Sequence, residues 1–217
     1  MIEYDRPRRR FAIALAAMAG FIDAVGFLSA DGYFVSFMSG NSTRLGVSLG
    51  TDPVHAAMPA LLIVGFLGGV TGGALLSHWA GPQRKPVVLS LVALMLLIAA
   101  IGRMIGLPAL MLGGLVVAMG ALNNTFQRGG EVTVGLTYMT GALVKLGQGI
   151  ANALAGKANS GWQAWASLWG GLLAGAVLGA FLQDRLPTGC LWLAAAYCAL
   201  MVAVALRLPP EATLAES

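Results

Sequence analysis

The chain has 217 residues, 58% hydrophobic and only 10% charged, with a mean hydropathy of +0.79. A soluble domain carries about 25% charged residues, so this composition excludes a surface covered by polar groups and points to lipid as the solvent. The net charge of +4 and pI near 9.4 do not argue for nucleic acid, because Arg6, Arg8, Arg9 and Arg10 sit just before an apolar run, where they act as a topology signal.

Phe11 to Ala30 is the first apolar run, about 20 residues and long enough to cross the hydrocarbon core. Basic residues before an apolar stretch also open a cleavable signal peptide, but a run of this length favours a retained span. Ala12, Ala16, Gly20 and Ala24 recur every four residues as a face for close packing. Asp23 lies beside that face and is expected to point into the bundle. Residues 33–50 form an interrupted segment: extended in character at Phe34-Val-Ser-Phe37, polar at Ser39-Gly-Asn-Ser-Thr43, then helical with Arg44. An apolar run from Ala56 to Ala80 carries Gly65, Gly69 and Gly73 in one stripe with Gly68 and Gly72 beside it, and Trp79 marks an interface. A basic loop, Gly81 to Lys85, leads to a span from Pro86 to about Gly106.

The pattern then restarts. Leu107 to about Phe126 is apolar and ends in Asn123-Asn124-Thr125; residues 133–155 form a second interrupted segment; Trp162 to about Leu182 carries Gly171, Gly175 and Gly179; Thr188 to Leu208 is the last span. The tail Pro209 to Ser217 reads as short, mildly acidic and frayed. At an offset of 101, Asp23 falls on Asn124, Met38-Ser39-Gly40 on Met139-Thr140-Gly141, and Arg44-Leu45-Gly46 on Lys145-Leu146-Gly147. At 102, Gly68-Gly69 falls on Gly170-Gly171 and Gly73-Ala74 on Gly175-Ala176. Glycine stripes match by chance; aligned intramembrane polar and basic residues are far more specific. The chain reads as two related halves, 1–105 and 106–217, forming one membrane domain.

Counting Lys and Arg chooses a topology. If all eight apolar segments cross, seven of these residues fall on the N-terminal side and four on the other. If residues 33–50 and 133–155 enter and leave on one side, the split is Arg6, Arg8, Arg9, Arg10, Arg84, Lys85, Arg128, Lys157 and Arg207 against Arg103 and Arg185. The second arrangement gives an all-α polytopic membrane protein with six transmembrane helices plus two interrupted, re-entrant segments. Three crossings per half make it an inverted internal repeat, a recurrent transporter architecture. Both termini are then cytoplasmic.

The candidate site follows from the interruptions. A helix beginning inside the membrane presents free backbone N–H groups and a partial positive charge, which can hold a polar or anionic solute. Ser39, Gly40 and Asn41 would form one side of a substrate site and Thr140 and Gly141 the other, with the hydroxyls of residues 39–43 also able to cap the helix. The alternative is that hydroxyls only satisfy local backbone and glycines only pack. Arg44 and Lys145 are costly placements, about 2.5–3.5 kcal/mol each at a helix centre, and Asp23 is the expected partner for one of them. Asp23 and Asn124, Arg44 and Lys145 are thus candidates for charge balance or proton coupling, against the alternative of a fixed ion pair or snorkelling. Asp31 and Glu131 flank the segments as interfacial residues.

Other chemistries find no support. His55 and His78 are isolated and make no metal site. No nucleophile–base pair or phosphate loop appears, so no enzyme and no cofactor is expected. Asn41-Ser-Thr43 and Asn123-Asn-Thr125 match glycosylation acceptors but lie in apolar segments. Cys190 and Cys198, eight residues apart in one helix, stand about 12 Å apart and cannot pair. The glycine stripes serve either packing within the chain or a homodimer.

Gly20-Phe-Ile-Asp-Ala24, followed by Phe34-Val-Ser-Phe-Met-Ser-Gly-Asn41 and Leu45-Gly46, resembles the YoaK-type family of bacterial inner-membrane proteins, grouped under a domain of unknown function. The resemblance covers the whole chain in length and hydropathy, with its specific motif in residues 20–46. It implies a multi-spanning bacterial inner-membrane permease and brings no substrate. Where the family pattern has Thr before Gly-Asn, this chain has Ser39, which keeps the hydroxyl. By architecture alone the paired segments are similar to those of nucleobase and sulfate-type transporters. The expected function is a secondary transporter of a small polar or anionic solute, with H+ as a possible coupling ion; a channel or a non-transporting scaffold are the alternatives.

Overall fold

A computed structural model describes residues 5–128, 131–132, 135–157 and 161–208. Among these, the helices are α1 (Arg6–Ser29), α2 (Met38–Thr51), α3 (Ala57–Ala80), α4 (Arg84–Met104), α5 (Pro108–Leu122), α6 (Met139–Leu154), α7 (Trp162–Arg185) and α8 (Cys190–Arg207). A two-residue antiparallel ladder sets Gln127 against Val132 and Arg128 against Glu131. The tail from Pro209 and the side chain of Glu131 lie outside the described residues.

Local chemistry sets the ends. The Asp5 side chain accepts the Arg8 amide at 3.0 Å and caps α1, with a proline in its first turn. Gly81 takes φ +52° after α3, where a side chain would be strained, and Pro82 follows. Gly106, at φ +71°, turns the chain out of α4 while the Leu107 amide bonds back to the Gly102 carbonyl at 2.8 Å. Five runs are long and apolar enough to cross a membrane: Arg6–Ser29, Pro53–Met104, Pro108–Thr125, Trp162–Arg185 and Cys190–Arg207. The second holds 52 residues, comprising both α3 and α4, which pack on each other across the Gly81 turn.

The glycine stripes set the helix pairing. Gly171, Gly175 and Gly179 of α7 press on the backbone of Ile13, Ala17 and Phe21 in α1, while Gly69 and Gly73 of α3 press on Val117 and Ala121 in α5. A Cβ at Gly175 would overlap the Ala17 carbonyl oxygen. Lipid supplies no hydrophobic force between helices, so this closeness supplies the attraction through dispersion. The residue numbers rise together in both pairs, so α1 runs parallel to α7 and α3 parallel to α5. These stripes are used inside the chain. Gly68, Gly72 and Gly170, by contrast, face open space.

The same contacts fix where each segment begins and ends. Arg103 at the end of α4 donates to Ser29 at the end of α1, 3.0 Å away, so α1 and α4 finish at one end of the bundle. Gly114 of α5 abuts Met95 and Ala99 of α4, and Gly102 of α4 abuts Met111, so α4 and α5 are antiparallel. α3 therefore begins at the end where α1 finishes, and α5 finishes and α7 begins at the opposite end.

Candidate functional site

Each interrupted segment is tied down just before its helix starts. In the first, Asp23 Oδ1 accepts the amides of Val35 (3.2 Å) and Ser36 (3.0 Å), reaching back from α1. Val35 is fully buried against Gly26, where a Cβ would stand 2.6 Å from its methyl carbon. Asn41, also fully buried, accepts the Phe34 amide at 3.3 Å and donates to the Phe34 carbonyl at 2.7 Å. The Asn41 side chain in the first turn of α2 thus meets both backbone polar groups of Phe34, as a strand partner would. In the second segment Asn123 Oδ1 accepts the Thr137 amide (3.4 Å) and hydroxyl (3.1 Å).

Several expectations change here. Asp23 has no cation partner among the described residues. Arg44 instead lies over the Tyr33 ring, 4.6 Å from its centroid, and Lys145 over the Trp165 ring at 4.5 Å. Aromatic rings at the bundle's ends meet cations that the sequence suggested a carboxylate would meet; Lys145 is solvent- or lipid-exposed. Nor do Ser39 to Thr43 cap a helix, because α2 already begins at Met38 and has no side-chain cap. Ser42 and Thr43 donate to the Met38 and Ser39 carbonyls at 2.8 and 3.1 Å, a local bond typical of hydroxyls in apolar helices. Asn124 does not take Asp23's part: it donates to the Val70 and Ala121 carbonyls, and Gln127 donates to it. Asn123, one residue earlier, is the one that holds the arm.

A cavity of about 490 Å³ lies where the two helix starts meet. The first segment lines it with Ser36, Phe37, Met38 and Ser39, the second with Gly135, Thr137, Tyr138, Met139 and Thr140, and the bundle adds Phe66, Val70 and Asn123. Ser39 and Thr140 are therefore brought together. Gly40, Asn41, Gly141, Asp23, Arg44, Asn124 and Lys145 are not in the lining. Gly40 and Gly141 work behind it: a Cβ at Gly40 would meet the Phe37 ring at 2.6 Å, and one at Gly141 the Tyr138 ring at 3.0 Å. Each glycine lets the aromatic residue three positions earlier lie back over the first turn. Phe37, Tyr138, Ser36, Thr137, Phe66 and Asn123 were missed in the sequence, although Ser36/Thr137 and Phe37/Tyr138 stand at the same offset of 101 as the motif itself.

Neither α2 nor α6 has a side-chain cap; the Met38 amide turns back onto the Ser36 carbonyl at 3.1 Å, and the following first-turn amides of both helices are left to whatever occupies the space beside them. A helix N-terminus favours negative charge by about 0.3–1 kcal/mol, and up to ~2 in protected geometries. Stripping an ion of water costs several kcal/mol. Two helix starts therefore favour acceptor groups such as carbonyls strongly, and a full charge only in part. Among the described residues no group of three or more His, Cys, Asp or Glu could hold a metal ion. Both cysteines are free and buried, and among the described residues His55 pairs with Asp52, 2.7 Å away.

Comparison with known proteins agrees with a membrane protein. A family profile described as protein of unknown function (DUF1275) matches residues 11–204. The chain belongs to that family. YoaK-type proteins are members of it. A relative from Rhizobium meliloti (strain 1021), named UPF0700 transmembrane protein RA0705, is 37% identical over 209 residues, covering 93% of this chain and 90% of the relative. No solved structure matches. With its apolar helices and a transmembrane relative, the chain is a multi-pass membrane protein.

Proposed function

We propose that this protein is a secondary transporter for a small polar or anionic solute, bound between the two interrupted segments. The observation that carries this reading is the cavity bounded by corresponding residues of the two halves: Ser36 with Thr137, Phe37 with Tyr138, Met38 with Met139, and Ser39 with Thr140. A purely structural interruption has no need to leave a space of substrate size between two uncapped helix starts. The proposal includes six crossings arranged as an inverted repeat, residence in the bacterial inner membrane with both termini cytoplasmic, and no enzymatic step. The antiparallel course of α1 and α5, and the return of each interrupted segment to the end it left, support the inversion.

Asp23 is the proposed coupling group. Its Oδ1 is the acceptor that fixes Val35 and Ser36, so protonation would loosen the arm that forms one wall of the site. The corresponding wall is held by Asn123, which cannot ionise. Uptake into proteoliposomes, with and without an imposed pH gradient, tests the reading. Solute accumulation that follows the gradient and is lost in Ser39→Trp supports it. Equilibration without accumulation identifies a channel, and no flux of any tested solute identifies a scaffold.

A further inference from the structure

We infer that the cavity selects flat, uncharged organic solutes that carry hydrogen-bonding groups on their edge, over solutes of similar size that carry a full negative charge. This rests on the transporter reading above and narrows its substrate class. Among the described lining residues none carries a charge. The two basic residues of the interrupted segments are absent from that lining and lie over Tyr33 and Trp165. An anion entering would exchange its hydration for the partial charge of two helix starts, with no counter-charge to complete the exchange. An uncharged solute gives up far less water and meets the same amides with a carbonyl or ring nitrogen.

The walls specify the body of the solute. Phe37, Phe66 and Tyr138 offer aromatic surface, which attracts conjugated rings face-on or edge-on. Met38 and Met139 adapt to an irregular outline. The hydrogen-bonding groups are few and placed on opposite sides. Ser36 and Thr137 are held by Asp23 and Asn123, and Ser42 and Thr43 bond to their own helix. The Ser39 and Thr140 hydroxyls, one from each half, make no hydrogen bond to another described residue and are available to a ligand.

Equilibrium dialysis of the full chain in lipid nanodiscs at neutral pH, with three matched pairs, tests this: nicotinamide against nicotinate, benzamide against benzoate, and uracil against orotate, with inorganic sulfate as a further anion. The uncharged member of at least one pair should bind at least tenfold more tightly than its carboxylate. Ser39→Ala and Thr140→Val should each weaken that binding severalfold without changing the protein's thermal unfolding. Carboxylates or sulfate binding as tightly as the uncharged members would overturn the class while leaving a transporter of anions standing. Binding of the uncharged members that ignores both substitutions would place them elsewhere and overturn it too. If no member of either arm binds, both this inference and the transporter reading fall.

Discussion

At the residue scale, the polar side chains of the interrupted segments are first of all substitutes for backbone partners. A backbone amide in an apolar surrounding needs an acceptor, and leaving one unmet costs about 1–3 kcal/mol. Asp23 meets two such amides with one oxygen, and Asn41 meets both polar groups of Phe34. Asp23→Ala should therefore destabilise the protein by about 1–3 kcal/mol per orphaned amide, read from denaturant unfolding in detergent micelles. Asp23→Asn retains an acceptor oxygen and should lose less than half as much. Equal losses in the two variants would mean that the charge, rather than the acceptor, matters. The sequence made Asp23 conspicuous but suggested a cation for it, because its true partners lie 12 and 13 residues ahead. Only the backward fold of the 33–37 arm brings them to it. The same fold explains the shift from Asn124 to Asn123. An offset of 101 aligns the segments themselves, but the residue that reaches the arm depends on how the short turn of residues 123–125 after α5 points its side chains.

At the scale of elements, the glycines divide into those that carry a helix contact and those that do not. Gly171, Gly175 and Gly179 let α7 lie directly on α1, whereas Gly72 has nothing within 4 Å of where a Cβ would be. Gly175→Ala places a methyl group on the Ala17 carbonyl, and overpacking of this kind costs about 1–3 kcal/mol or more. Gly72→Ala should change stability by less than about 1 kcal/mol and in the stabilising direction, since Ala is the better helix former. Paired melting curves of the two variants check this; similar behaviour would mean the α1–α7 contact is looser than described. The spacing of four made both stripes visible in the sequence. What it left open was their partner, another helix of the same chain or a second copy, because a stripe has no address. The pairing also has a lesson about the repeat. Gly171 meets Ile13 while Gly69 meets Val117, so the partners stand 104 apart where the repeat offset is 101 to 102, and one pair is slid by nearly one helical turn relative to the other.

At the scale of the whole molecule, charge and packing bear on topology independently. The count of nine Lys and Arg residues against two holds only if both interrupted segments return to the side they left. Packing supports that proposed course without counting charges. The Arg103–Ser29 bond aligns the ends of α4 and α1, and parallel α1 and α7 then require the second segment to return at the other end. Lys85, at the start of α4, stands close enough to Arg8 and Arg84 to feel both charges, as expected if one face of the bundle collects the basic residues beside anionic lipid headgroups. Pro53 and Gln83 accordingly lie at opposite ends of α3. Alkaline phosphatase fused after Pro53 should be active and after Gln83 inactive, with a fluorescent-protein fusion giving the reverse pattern. If the pattern is reversed, with Gln83 active and Pro53 inactive, residues 33–51 cross the membrane outright; if both sites report the same side, α3 does not cross and the six-crossing arrangement falls. In either case the proposed inversion of the two halves fails, and the matched residues of the cavity lose their explanation as a central site reached from both sides.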